Sequence, residues 1–261
     1  MSSIVTDQGI VHYEAYGRGQ PVILLHGWIN SWDVWRDSMI AIAEMGRYKV
    51  YALDFWGFGE SAKEKTPPFK ITSYAEMVYQ FMETMGIQRA PVFGHSMGGT
   101  VSLTLTLKFP EKIQKVAIVG SPINGNSLNF FLKLSGFSWI ASLVWRIPMI
   151  LKVVMWTILA GDSKKVKDMI FRDVGKTNTE SFFRSIGDLH HTDLRSRLGE
   201  IKVPALGVFG EHDNIVNPNQ YKLLVKGVPS ARIVMMPRSR HFPMLDEPEP
   251  FAEAIHQFLL V

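Results

Sequence analysis

Short apolar runs of strand character alternate with stretches of helical spacing through the first half of this chain. Residues 11–16, 21–25, 48–53, 91–93 and 115–119 read as strands, and the last three are near-continuous apolar runs. Runs of that kind suit strands buried on both faces of a parallel sheet. Between them, residues 32–45, 73–85 and 97–109 read as helices. The first two run into Gly46 and Gly86 and the third into Pro110, residues that end helices. The alternation predicts an α/β fold with a mostly parallel, doubly wound sheet. It breaks after Gly120. Residues 122–195 carry bulky apolar residues at helical spacing and no convincing strand, and then 205–209 and 232–236 restore the strand pattern. The segment 249–260 places Phe251, Ile255, Phe258 and Leu259 on one helical face. The expected organisation is a core made of 1–121 and 196–261 with a helical insertion, 122–195.

With 261 residues, 46% of them hydrophobic and 20% charged, the chain can bury a large core without staples. It has no cysteine, which excludes thiol nucleophiles, disulfides and cysteine-ligated zinc. The opening MSSIVTDQGI lacks a basic start followed by an apolar run, so no secretory signal is read there. The apolar stretch 128–160 is interrupted by Lys133, Arg146 and Lys152 and broken by Pro148, short of the ~20 consecutive apolar residues a spanning helix needs. A soluble, cytoplasmic protein with no transmembrane segment is the expectation. The net charge is +4, and residues 122–195 hold ten Lys and Arg against six Asp and Glu. The excess has no run of like charge and no nucleic-acid motif beside it, so nucleic acid is excluded as a partner. A solvated outer face is the expected reading of this charge, with attraction to anionic lipid or to an anionic substrate as the alternative.

Gly94-His95-Ser96-Met97-Gly98 is a G-x-S-x-G sequence lying where a strand should hand over to a helix. A serine there sits on a tight turn with its hydroxyl pushed out at the sheet edge, and glycines remove side chains that would collide. The following helix directs its N-terminus at the reacting atoms, so the N–H of Met97 can stabilise an oxyanion. A serine needs a base to take its proton. Of eight histidines, His241 follows a strand and precedes the final helix. Asp213, in Gly210-Glu211-His212-Asp213, follows the strand 205–209 and can orient that imidazole. An aspartate there can also cap a turn, and a histidine can be a buried hydrogen-bonding group. What singles out Ser96, Asp213 and His241 is their order along the chain and their common place after strand ends.

These residues resemble the α/β-hydrolase superfamily, and the resemblance covers nearly the whole chain. His26-Gly27-Trp28 is similar to the family's oxyanion loop, which implies the N–H of Trp28 as second oxyanion donor and a bracing role for His26. The turn from Asp54 to Ser61 resembles the family's D-x-x-G-x-G-x-S, an architectural element. Gly94 to Gly99 resembles the elbow of esterases and lipases, and Arg240-His241-Phe242-Pro243 the histidine loop. The insertion falls where the family places a helical cap, after the sixth strand.

A serine nucleophile sets aside the aspartate-dependent dehalogenases and epoxide hydrolases. Ile29 stands where many haloperoxidases have proline, and Trp28-Ile29-Asn30 departs from the glycine-rich loop of meta-cleavage C–C hydrolases. The resemblance thus implies a serine carboxylesterase acting on a small-molecule ester, with no cofactor and no metal. A C–C hydrolase, or a small-molecule-binding protein on a hydrolase scaffold, are the alternatives. Asp188-Leu189-His190-His191-Thr192-Asp193 is read as a loop packing the insertion onto the core rather than a metal site. The apolar insertion, dense in Leu132, Ile140, Leu143 and Val144, is expected to roof the pocket and favour hydrophobic esters over acetates.

Overall fold

The structure, a computed structural model, describes residues 2–63, 69–129 and 164–261. Eight strands form one sheet: β1 (Ser2–Thr6), β2 (Gly9–Gly17), β3 (Gln20–Leu25), β4 (Tyr48–Leu53), β5 (Ala90–His95), β6 (Ile113–Val119), β7 (Ala205–Gly210) and β8 (Arg232–Met236). Their spatial order is β1-β2-β4-β3-β5-β6-β7-β8. From β4 to β8 every neighbouring pair is parallel, while β1–β2 and β2–β4 are antiparallel. The sheet is therefore mostly parallel, with an antiparallel hairpin on one edge.

Helices α1 (Arg36–Glu44), α2 (Ile71–Thr84), α3 (Met97–Lys108), α4 (Lys164–Val174), α5 (Thr179–His191), α6 (Gln220–Gly227), α7 (Pro243–Asp246) and α8 (Pro248–Leu260) connect or follow the strands. The stretch read as one helix over 32–45 is a 3-10 turn, Trp32–Trp35, followed by α1. α5 corrects another reading: Asp188 to His191 close a helix and are not a loop. Asn178 caps its start, its side chain accepting from the Glu180 N–H at 2.7 Å, while Phe182, Ile186 and Leu189 bury one face. The His190 and His191 rings point to different carbonyls, those of Gly125 and Gly187.

Both faces of the central strands are covered, and β5 and β7 are buried along their whole length. Topology then points to a candidate site. β3 leads to β4 on one side, and the next strand, β5, crosses back to the other side of β3. The order reverses between β3 and β5, and ligands of open α/β sheets bind at the carboxyl ends of such a pair. α4 and α5 lie between β6 and β7 in the chain, within the insertion read from sequence. Most of the apolar stretch 128–160, including Leu132, Ile140, Leu143 and Val144, lies outside the described residues. Among the described residues no helix is long and apolar enough to cross a membrane.

Candidate active site

At the carboxyl end of β5, the chain turns into α3 through Ser96. Its backbone has φ 50° and ψ −119°, a conformation that L residues avoid. Such strain, on the order of 1–3 kcal/mol, persists where the surroundings over-determine it. Here the Ser96 N–H donates to Val119 O at 2.8 Å, tying the turn to β6. The flanking glycines are required by contact. A Cβ at Gly94 would lie 2.1 Å from Gly98 O, and one at Gly98 would lie 2.3 Å from Leu25 O. Met97 is the first residue of α3, where helix N–H groups have no acceptor within the helix.

The loop after β3 carries Trp28. The Asn30 N–H donates to Gly27 O at 3.2 Å, closing a four-residue turn, and Ile29 in its third position has φ 60°. That position usually takes glycine or asparagine, and a β-branched residue there is a marked outlier. Behind the turn, His26 Nδ1 donates to Gly27 O at 2.7 Å and its Nε2 accepts from the Phe55 N–H at 2.9 Å. His26 is therefore a neutral brace, and burial lowers its pKa. Asp54 is also architectural: it accepts from the backbone of Trp32 and Glu60 and bonds the His12 ring.

The loops after β7 and β8 supply the remaining pair. His241 Nδ1 lies 2.8 Å from Asp213 Oδ2, and both side chains are almost fully buried. The second carboxylate oxygen of Asp213 accepts from the N–H groups of Ile215 (2.8 Å) and Val216 (3.0 Å). One residue thus fills both roles open to it from sequence, turn cap and imidazole partner. With Nδ1 engaged, the other ring nitrogen of His241 is the one left for chemistry. Ser96, Trp28 and His241 line one cavity, whose other described walls include Asn30, Leu128, Ile170, Ile186 and Leu189.

Two residues that bear on the site carry no role in the sequence reading. His95, inside the elbow, donates from Nε2 to the carbonyl of His241 at 2.8 Å. Burial, reinforced by the neighbouring His241, holds its pKa well below the usual histidine range. Gly120 packs against the Asp213–His241 pair, and a Cβ there would lie 3.4 Å from both His241 Nδ1 and Asp213 Oδ2. A glycine just past the end of β6 was the available signal for that approach.

The buried neutral histidines set an expected pH dependence of stability. His26 and His95 have lowered folded-state pKa values, so the unfolded chain binds more protons below the ordinary histidine value of about 6.5. Stability present above that value is lost as pH falls, with a slope of up to about 1.4 kcal/mol per pH unit for each histidine. For His12, burial opposes protonation, but Asp54 and Glu14 outweigh it and its pKa is raised, so its contribution is lost above that value instead. Urea denaturation at pH 7 and 5.5 should show lower stability at 5.5. Equal stability would count against neutral, buried rings.

A family description, alpha/beta hydrolase fold, matches residues 20–139. The chain has the α/β-hydrolase fold. Among curated relatives, a pimeloyl-[acyl-carrier protein] methyl ester esterase of Aeromonas hydrophila is 27% identical, over 95% of this chain and 99% of the esterase. A 2-hydroxy-6-oxononadienedioate/2-hydroxy-6-oxononatrienedioate hydrolase of Paraburkholderia phymatum is 26% identical, over 95% of this chain and 90% of its own. Among solved structures, an esterase from Exiguobacterium antarcticum superposes with a TM-score of 0.87 at 20% identity, covering 98% of each chain. The likeness covers nearly the whole chain, while the named relatives act on different substrates.

Proposed function

We propose that this chain is a serine hydrolase that cleaves carboxylic esters of hydrophobic small molecules through an acyl-enzyme. The observation that carries the reading is the strained Ser96 facing the same cavity as His241, whose Nδ1 is held by Asp213. In this scheme Ser96 Oγ attacks the ester carbonyl while His241 Nε2 takes the hydroxyl proton. The oxyanion that forms is bound by the N–H groups of Trp28 and Met97. His241 returns the proton to the departing alkoxide, so the alcohol leaves and the acyl group stays on Ser96. Water, deprotonated by His241, then releases the acid and restores the serine. Asp213 fixes the tautomer of His241 and balances its charge during both steps. No cofactor or metal enters the scheme.

The cavity walls favour an ester over the C–C reaction. The dioate substrates named for the second relative carry two carboxylates, whereas the described lining of this cavity contains no Lys or Arg. Ile170, Ile186 and Leu189 come from α4 and α5. That supports reading residues 122–195 as a cap whose apolar face roofs the pocket. Each buried methylene contributes about 0.8 kcal/mol, so lengthening an acyl chain from two to six carbons can raise kcat/KM by up to roughly two decades.

Labelling with a fluorophosphonate and a panel of p-nitrophenyl esters test the reading. Covalent labelling at Ser96 is expected, with kcat/KM rising from acetate to hexanoate. An unlabelled Ser96 would make the chain a binding protein on a hydrolase scaffold. Labelling with kcat/KM falling steadily from acetate onward would rule out the apolar roof as the source of specificity.

A further inference from the structure

The turn that carries Trp28 is anchored from two sides, and the anchors differ in kind. On the core side they sit at its ends: His26 bonds Gly27 O, and the Trp32 N–H donates to Asp54 at 2.7 Å. On the other side, side chains of the turn and the residues just after it reach α4 and α5. The indole Nε1 of Trp28 donates to Phe182 O at 2.8 Å, and the two rings pack with centroids 4.3 Å apart. Asn30 Nδ2 reaches Met169 Sδ at 3.7 Å. Ser31 Oγ donates to Asp173 Oδ2 at 3.1 Å, and Asp33 pairs with Arg172 at 2.5 Å. Asp173 is only 1% exposed, and its other oxygen accepts from Arg172 Nε at 2.8 Å. Between these contacts sits Ile29 at φ 60°, in a strained turn closed internally by one 3.2 Å bond, from the Asn30 N–H to Gly27 O.

We infer that α4 and α5 position the oxyanion site through this seam, with Asp173 as a positioning residue that acts through Ser31 on the Trp28 turn. The inference rests on the reading of Trp28 N–H as an oxyanion donor. Its physical content is that the polar seam fixes the aim of that N–H, apart from the apolar contacts of Ile170, Ile186 and Leu189 that line the cavity. A donor displaced by a fraction of an ångström loses contact with the oxyanion while the substrate's apolar parts still bind. The seam should therefore control kcat and leave KM alone.

The test uses the full chain with Asp173→Ala, Ser31→Ala and the double variant, measured on p-nitrophenyl butyrate. A trifluoromethyl ketone serves as a probe that forms a tetrahedral oxyanion on Ser96. Asp173→Ala and Ser31→Ala should each lower kcat by about tenfold, below the 10²–10³ seen when a donor is removed outright. KM should stay within about twofold, and the ketone should bind more weakly by the same factor as kcat falls. The double variant should be no worse than the poorer single one, because both cut the same link. Asp173→Asn keeps an acceptor for Ser31 and should recover most of the loss. Lys176→Ala, which removes an exposed ion pair between the insertion and Glu60, should change nothing. Ser31→Ala keeps the test open if Asp173→Ala does not fold, since it leaves the Asp173–Arg172 pair intact. Variants that raise KM with kcat and ketone affinity unchanged, or that behave as wild type, overturn the inference while the esterase reading stands. A wild-type protein that takes no fluorophosphonate overturns both.

Discussion

Ser96→Ala is expected to lower ester turnover by on the order of 10⁶-fold, the scale of nucleophile loss in another triad, without loss of fold. The two halves of that expectation rest on different observations. Ser96 is a poor helix cap: its side chain makes no capping bond to α3, so the hydroxyl contributes nothing there to stability. What holds the turn is backbone and contact: the bond to Val119 O, and the approach of Gly94 and Gly98 to neighbouring backbone. Alanine keeps the Cβ and the same backbone preference, so the strained φ of 50° is neither relieved nor worsened. Circular dichroism and the thermal midpoint should match wild type, while kcat for p-nitrophenyl butyrate collapses and fluorophosphonate labelling disappears. Turnover within tenfold of wild type would remove Ser96 from the mechanism.

The parts of the fold that could be read in sequence are those whose burial leaves a one-dimensional trace. β4, β5 and β6 are parallel to one another and largely covered on both faces, so they appear as near-continuous apolar runs. β1 escaped because only Ile4 of Ser2–Thr6 turns inward, and a five-residue edge strand with one buried position has no periodicity to detect. The 3-10 turn before α1 begins at Trp32, whose N–H donates to Asp54, a contact 22 residues away that no local pattern marks. The proposed triad, Ser96, Asp213 and His241, could be singled out because each follows a strand and topology brings strand ends together. The contribution of His95 was hidden, since its partner is the carbonyl of His241, 146 residues along the chain. The seam of Trp28, Ser31 and Asp173 was hidden for the same reason: nothing local marks Asp173 as buried. Its neighbours Lys167, Asp168, Arg172 and Lys176 give the segment the look of a solvated helix.

Asp213→Asn should lower kcat by about 10³ to 10⁴, and the turn around it explains why. The carboxylate has two oxygens with two separate duties. One accepts from the N–H groups of Ile215 and Val216, and the other faces His241 Nδ1 at 2.8 Å. Asparagine has a single carbonyl to offer. Two backbone donors compete for it against one imidazole, so the carbonyl should stay on the turn and the NH₂ should face His241. An NH₂ can only donate, and it therefore selects the tautomer with a bare Nδ1 and a proton on Nε2. That nitrogen can no longer take the proton of Ser96. The turn is satisfied in both proteins, so stability should fall little and the loss should appear in kcat. Nitrogen NMR of the His241 ring should report Nε2 protonated at neutral pH in the variant and Nδ1 protonated in the wild type. An Asp213→Asn protein that keeps turnover within tenfold, or that keeps the wild-type tautomer, would show that some other acid orients the base.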